Sequence, residues 1–211
     1  MKLSPINQTA IGLGAQFSDI DGWKMPSVYS TVAEEQKAAE RRVALLDQSN
    51  NTQIIVEGES AGDVVKKATS TSSSGFQIRP DLFLVTAGPN AGVDLVAKLE
   101  KAIGKGKLVT VTDSSNGNGN LRLIGPDSDD LLSRLCGLDL HDSIFPNGTA
   151  KISSVAKTRV TIVRDDINGV LSYSLIGARS LAAYLWETIM EAGADLNIRP
   201  MGSAAFGQMA R

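Results

Sequence analysis

The chain of 211 residues is 42% apolar and 21% charged with a formal net charge of −2, enough apolar content for a sizeable buried core. The lack of a basic excess argues against a nucleic-acid surface, which needs Lys and Arg to displace counterions. No apolar run reaches bilayer-spanning length, and residues 1–10 hold one lysine and no apolar core of a signal peptide, so the chain is read as cytoplasmic without membrane contact. One cysteine, Cys136, and one histidine, His141, leave no internal disulfide and no Cys/His zinc site, and no nucleophile elbow accompanies the histidine. Both are read as structural: Cys136 as a buried thiol, His141 as a loop anchor.

Residues 31–46 read as a helix, with Glu34 and Glu35 in the first turn and Arg41 and Arg42 near the end, as the helix dipole favours. The β-branched run at 52–57 reads as a strand and 60–68 as a short helix. The T-S-T-S-S-S-G at 69–75 is the low-complexity stretch and reads as a surface loop. A strand at 82–86, a helix at 91–103 and a strand at 108–112 follow. The N-G-N-G-N at 116–120 reads as a tight turn joining that strand to 121–124 as a hairpin, because no helix follows the glycines as a phosphate cradle requires. Pro126 opens a helix with acids in its first turn. Residues 155–163 and 170–176 alternate as half-buried strands around D-D-I-N-G, and 178–192 is an amphipathic helix with Leu181, Leu185, Ile189 and Met190 inward. Strands and helices without strict alternation predict an α+β fold, taken as one domain over 1–211.

Residues 14–29, G-A-Q-F-S-D-I-D-G-W-K-M-P-S-V-Y, resemble the opening of glycine cleavage T-proteins, which typically read G-A-x-x-x-D-x-x-G-W-x-M-P-x-x-Y. A-L-L-D-Q-S at 44–49 stands where that family has G-L-F-D-V-S. L-I-G-P-D at 123–127, W-E-T-I-M-E-A-G at 186–193 and I-R-P-M-G at 198–202 follow its later motifs. The resemblance implies the folate-binding domain of that family, with interleaved antiparallel and mixed sheets flanked by helices. The family's C-terminal barrel would lie beyond the end of this chain. Read from the residues alone, D-G-W is a turn, and Trp23, Met25 and Tyr29 form an apolar cluster closing a sheet.

Four family positions depart from the pattern. The folate-positioning aspartate of G-G-x-x-D-D-L has only the 69–82 segment opposite it, the asparagine of V-V-N falls at Ala87, and the pterin-binding glutamate of Y-T-G-E falls at Val170. The arginine of G-x-G-A-R falls at Phe206. Tyr29, Asn51, Val85 and Tyr173 are the remaining candidates for a pterin pocket, and tetrahydrofolate is expected to bind weakly or not at all. No catalytic residue, metal site or flavin site is assigned.

Residues 138–160, from L-D-L-H-D to the strand carrying Ala156 and Arg159, resemble the gamma subunit of heterotetrameric sarcosine oxidase. That likeness implies an accessory subunit or scaffold in one-carbon or methylamine metabolism, packed against larger flavin-containing subunits or against itself. Met201, Phe206 and Met209 are expected at an apolar edge that a partner covers. A stand-alone tetrahydrofolate-dependent aminomethyl- or methyltransferase, and a self-associating domain for another aromatic ligand, are the alternatives.

Overall fold

The computed structural model describes residues 1–210, which pack as two compact units, residues 1–49 with 118–210 and residues 50–117. The first unit begins with β1 (Lys2–Leu3), α1 (Asn7–Gly12), β2 (Gln16–Ile20), β3 (Trp23–Val28), α2 (Val32–Arg41) and β4 (Ala44–Asp47). The second holds β5 (Asn51–Glu57), α3 (Ala61–Ala68), β6 (Ser73–Arg79), β7 (Leu82–Pro89), α4 (Gly92–Ala102) and β8 (Thr110–Asp113). The chain returns to the first with β9 (Asn118–Ile124), α5 (Ser128–Ser133), β10 (Ala150–Val155), β11 (Thr158–Arg164), β12 (Ser172–Ala178), α6 (Ala182–Ala192), β13 (Arg199–Met201) and α7 (Ser203–Met209).

The first unit has a six-stranded sheet in the order β10-β11-β12-β9-β4-β13, antiparallel except for the parallel β13–β4 pair, and a small sheet β1-β3-β2. The second unit has one antiparallel sheet, β6-β7-β5-β8. This is the expected α+β architecture of mixed sheets with flanking helices. Alternation along β9 and β12 sends Leu121, Leu123, Tyr173 and Leu175 to one face, where Leu185, Trp186 and Ile189 of α6 bury against them. In the second unit Ile54, Val56 and Val85 pack with Val64, Val65, Leu95 and Leu99 of α3 and α4.

Local chemistry sets the element ends, and several differ from the sequence reading. Thr31 caps α2: its Oγ1 accepts the Glu34 amide at 3.2 Å and donates to the Glu34 carboxylate at 3.0 Å. The helix stops at Arg41, not 46. Arg42 leaves helical geometry at φ −141°, and the apolar 44–47 run becomes a wholly buried strand between β9 and β13. The serine-rich 69–75 stretch is partly strand, since β6 starts at Ser73 and pairs with β7 along the sheet edge. The N-G-N-G-N segment is not a hairpin turn. β8 pairs with β5 and β9 pairs with β4 and β12, so the asparagines and glycines sit at the passage between units. Residues 155–163 contain a turn at Ala156 and Lys157, both at positive φ, that folds β10 onto β11. The turn at D-G-W is as read: Asp21 at φ 52° and Gly22 at φ 82° join β2 to β3 in the geometry that matches strand twist.

In α6 the inner face is confirmed for Leu185 and Ile189, with Met190 half-buried. Leu181 is 43% exposed, because it ends a 3₁₀ turn before the helix and falls off its periodicity. Met201 is fully buried and α7 carries half-buried Phe206 and Met209 into a cluster with Ala39, Leu46 and Ile124. The tail thus folds back and covers the edge where an exposed apolar patch was expected.

Candidate functional site

A buried acid lies at the end of β4. Asp47 Oδ1 accepts hydrogen bonds from the Ser49 amide at 2.9 Å and the Ser49 hydroxyl at 2.5 Å, and the Ser4 hydroxyl donates to Oδ2. Ser49 Oγ accepts the Asn120 amide at 3.0 Å, tying β4 to the start of β9. Around this centre Asn7 Oδ1, Asn120 Oδ1 and Arg179 Nη1 are buried without a hydrogen-bond partner among the described residues, although Arg179 donates its other nitrogen to the Leu3 carbonyl and lies 5.3 Å from the Trp23 ring. Buried polar groups are seldom left unpaired, which makes this cluster a candidate polar recognition site.

Burial pushes the Asp47 carboxyl up, opposed by its bonds to Ser4 and Ser49 and by the Arg179 charge. A raised folded-state value means the native protein holds a proton that the unfolded chain has released. The contribution to stability is therefore full below the ordinary value of 3.8 and lost as pH rises through the folded-state value. The stability of the wild type minus that of Asp47→Asn is expected to fall from pH 3.8 upward. Melting curves across that window giving a flat or rising difference would exclude a raised value.

The first unit also carries an open cleft of about 1050 Å³ along α2, bordered by Tyr29, Met190 and the 197–200 segment. Glu35 sits at its base, 1% exposed, and accepts the amides of Tyr29 at 2.6 Å, Ser30 at 2.9 Å and Gly202 at 2.8 Å. Gly202 is required by close approach: a Cβ there would lie 2.1 Å from the Ser27 carbonyl oxygen. Tyr29 stacks on Trp186 at 6.2 Å, and its hydroxyl, without a partner among the described residues, is raised by burial, then by the negative charges of Asp47 and Glu35.

Of the four residues read as pterin-pocket candidates, only Tyr29 lines this cleft. Tyr173 is sealed in the first unit's core against Phe145, its hydroxyl pushed up to about 12 by burial. Val85 pairs with Ile54 inside the second unit's core. Asn51 opens β5 at an irregularity in its pairing with β7, where the register shifts between Asn51 and Thr52. Within neither unit do these side chains converge on one cavity. Val170, at the position of the family's glutamate, packs with the Leu46–Met201 cluster. Cys136 is buried with its thiol pushed up by desolvation, and the ring of exposed His141 meets Ser143, with Nδ1 2.8 Å from its Oγ and accepting its amide at 3.3 Å, a loop-anchoring role. Asp47 and its neighbours were missed by the sequence reading, although D-Q-S within the 44–49 motif marks the place.

Among the described residues no group of acids, cysteine or histidine could hold a metal ion, and no helix is long and apolar enough to cross a membrane. The sequence matches the model of the GCVT N-terminal domain family over residues 6–78 and 75–210. An aminomethyltransferase of Halothermothrix orenii is 28% identical over 97% of this chain and 63% of its own length. That of Thermotoga neapolitana is 26% identical over 97% and 62%. The chain thus spans 62–63% of the length of these relatives. In structure it is similar to the glycine cleavage system aminomethyltransferase T of Bartonella henselae, with TM-score 0.80 and 20% identity over 99% of this chain and 62% of that one. A chain of heterotetrameric sarcosine oxidase from Corynebacterium sp. U-96 matches with TM-score 0.67 and 20% identity over 92% of this chain and 95% of its own.

Proposed function

This chain belongs to the GCVT N-terminal domain family, and from that premise we propose that it is a non-catalytic accessory subunit or scaffold in one-carbon or methylamine metabolism. It acts as a single functional domain over 1–211 and packs, in the cytoplasm, against a larger flavin-containing subunit or a second copy of itself. The observation that carries this reading is Val170, which falls at the glutamate position of the family pattern and packs, half-buried, against an apolar cluster. A site that recognises a substrate by hydrogen bonds loses a few kcal/mol for each partner removed, because its remaining polar groups are left unpaired. Ala87 removes a second such partner and lies partly buried against the second unit's core. The near full-length likeness in fold to a chain of a heterotetrameric oxidase supports membership of an assembly.

A second reading, a stand-alone tetrahydrofolate-dependent aminomethyl- or methyltransferase, is favoured by the unpaired Asn7, Asn120 and Arg179 atoms around Asp47, which offer acceptors and a donor to a polar ring. Calorimetric titration with tetrahydrofolate separates the two. The accessory reading expects no saturable heat in the micromolar range. Low-micromolar affinity, abolished by Asn120→Leu in a variant that melts as the wild type does, would replace it with the transferase reading.

A further inference from the structure

We propose that the cleft along α2 binds a small amphipathic anion, its carboxylate or phosphate held among Lys37, Arg41 and Arg199 and its apolar body resting on Tyr29, Met190 and Ile198. Charged side chains of both signs line the cleft. Glu34 accepts the Thr31 hydroxyl at 3.0 Å and buried Glu35 accepts three backbone amides, so neither carboxylate is paired with a cation of the cleft by these bonds. Arg42 faces Asp127 at 3.6 Å. Lys37, Arg41 and Arg199 remain, exposed, lining the same cleft, and making no ion pair or side-chain hydrogen bond among the described residues.

With Arg42 they outnumber the two carboxylates of the lining, Glu34 and Glu35, four to two. Lys37 and Arg41 stand at i and i+4 on α2, where like charges are neighbours and repel. Arg199 comes from β13, which packs beside α2, and adds a third positive charge to a chain whose net charge is −2. Cations gathered in a concavity with a low-dielectric wall concentrate anions there. Beneath them Ile198 is buried and Tyr29 and Met190 are half-buried, so a purely inorganic ion would leave the apolar wall unused. The volume, about 1050 Å³, suits a small organic molecule. This reading does not depend on the accessory role, because no residue of the Asp47 cluster lines the cleft.

The test uses the full chain with phenylacetate and phenyl phosphate as probes, and phenylacetamide and inorganic phosphate as the uncharged and body-less controls, followed by amide and methyl NMR shifts. Saturable shifts confined to α2, Tyr29 and residues 190–200 are expected with one or both organic anions. Whichever of the two binds more tightly identifies the head group. The Lys37→Gln, Arg41→Gln, Arg199→Gln triple variant, at exposed positions, should fold and bind that probe about tenfold or more weakly, the loss expected for a charge-assisted contact. The proposal is overturned if phenylacetamide binds as well as phenylacetate, if inorganic phosphate alone accounts for all binding, if the triple variant binds like the wild type, or if no probe produces saturable shifts in the cleft.

Discussion

Glu35→Ala is expected to be among the most damaging single substitutions outside the apolar cores. The side chain terminates three backbone donors at once, the amides of Tyr29 and Ser30 at the entry to α2 and that of Gly202 at the exit of β13. Alanine leaves all three without an acceptor. Each unpaired buried donor costs about 1–3 kcal/mol, and water entering from the adjoining cleft recovers part of that, giving a net loss of about 3–5 kcal/mol. For a chain of this size the melting temperature should fall by about 10 °C or more. Glu35→Gln keeps one carbonyl oxygen and should recover part of the loss. Equal melting temperatures for the alanine variant and the wild type would show that the three amides find other partners.

That anchor also shows why the site was only partly legible in the sequence. Glu35 was placed correctly as a first-turn acid, where the helix dipole alone explains it. Its actual role depends on Gly202, 167 residues later, a pairing that no local pattern encodes. Asp47 has the same character: D-Q-S reads as a strand end, and its burial follows from Ser4, 43 residues earlier. Val85 and Tyr173 were chosen as pocket candidates on resemblance, yet each is an apolar-face residue of a strand whose partners, Ile54 and Leu123, fix it in a core.

The misread elements share a physical cause. Serine and threonine at 69–75 lower the apolar signal, but an edge strand needs only one paired side, and β7 supplies it from 82–89. Asparagine and glycine at 116–120 permit a hairpin and permit a crossing equally, and the choice was made by β5 and β12, both distant in sequence. The helix over 31–46 was extended past Arg41 because Val43 to Leu46 continues an apolar run, and periodicity alone does not separate a short buried strand from a helix end. The period of the 178–192 helix is legible from Leu185 onward, while Leu181 falls in the 3₁₀ turn before it.

Within α6, Trp186→Ala should lose about 3–5 kcal/mol, the range for emptying a buried aromatic site. Trp186 is 1% exposed, lies among Leu121, Leu175, Leu185 and Ile189, and stacks at 6.2 Å on Tyr29. Its indole N–H has no hydrogen-bond partner among the described residues, so the loss is one of packing and cavity, not of a polar contact. Trp186→Phe should therefore cost far less than alanine, because it removes volume without breaking a hydrogen bond. The alanine variant should also loosen Tyr29, which borders the α2 cleft, and weaken anion binding there while Trp186→Phe leaves it near the wild-type level. Chemical denaturation of both variants, with the probe titration repeated on each, checks each step. An alanine variant as stable as the wild type would mean that the six-stranded sheet and α6 close over the gap, and that the stack on Tyr29 contributes nothing to the fold.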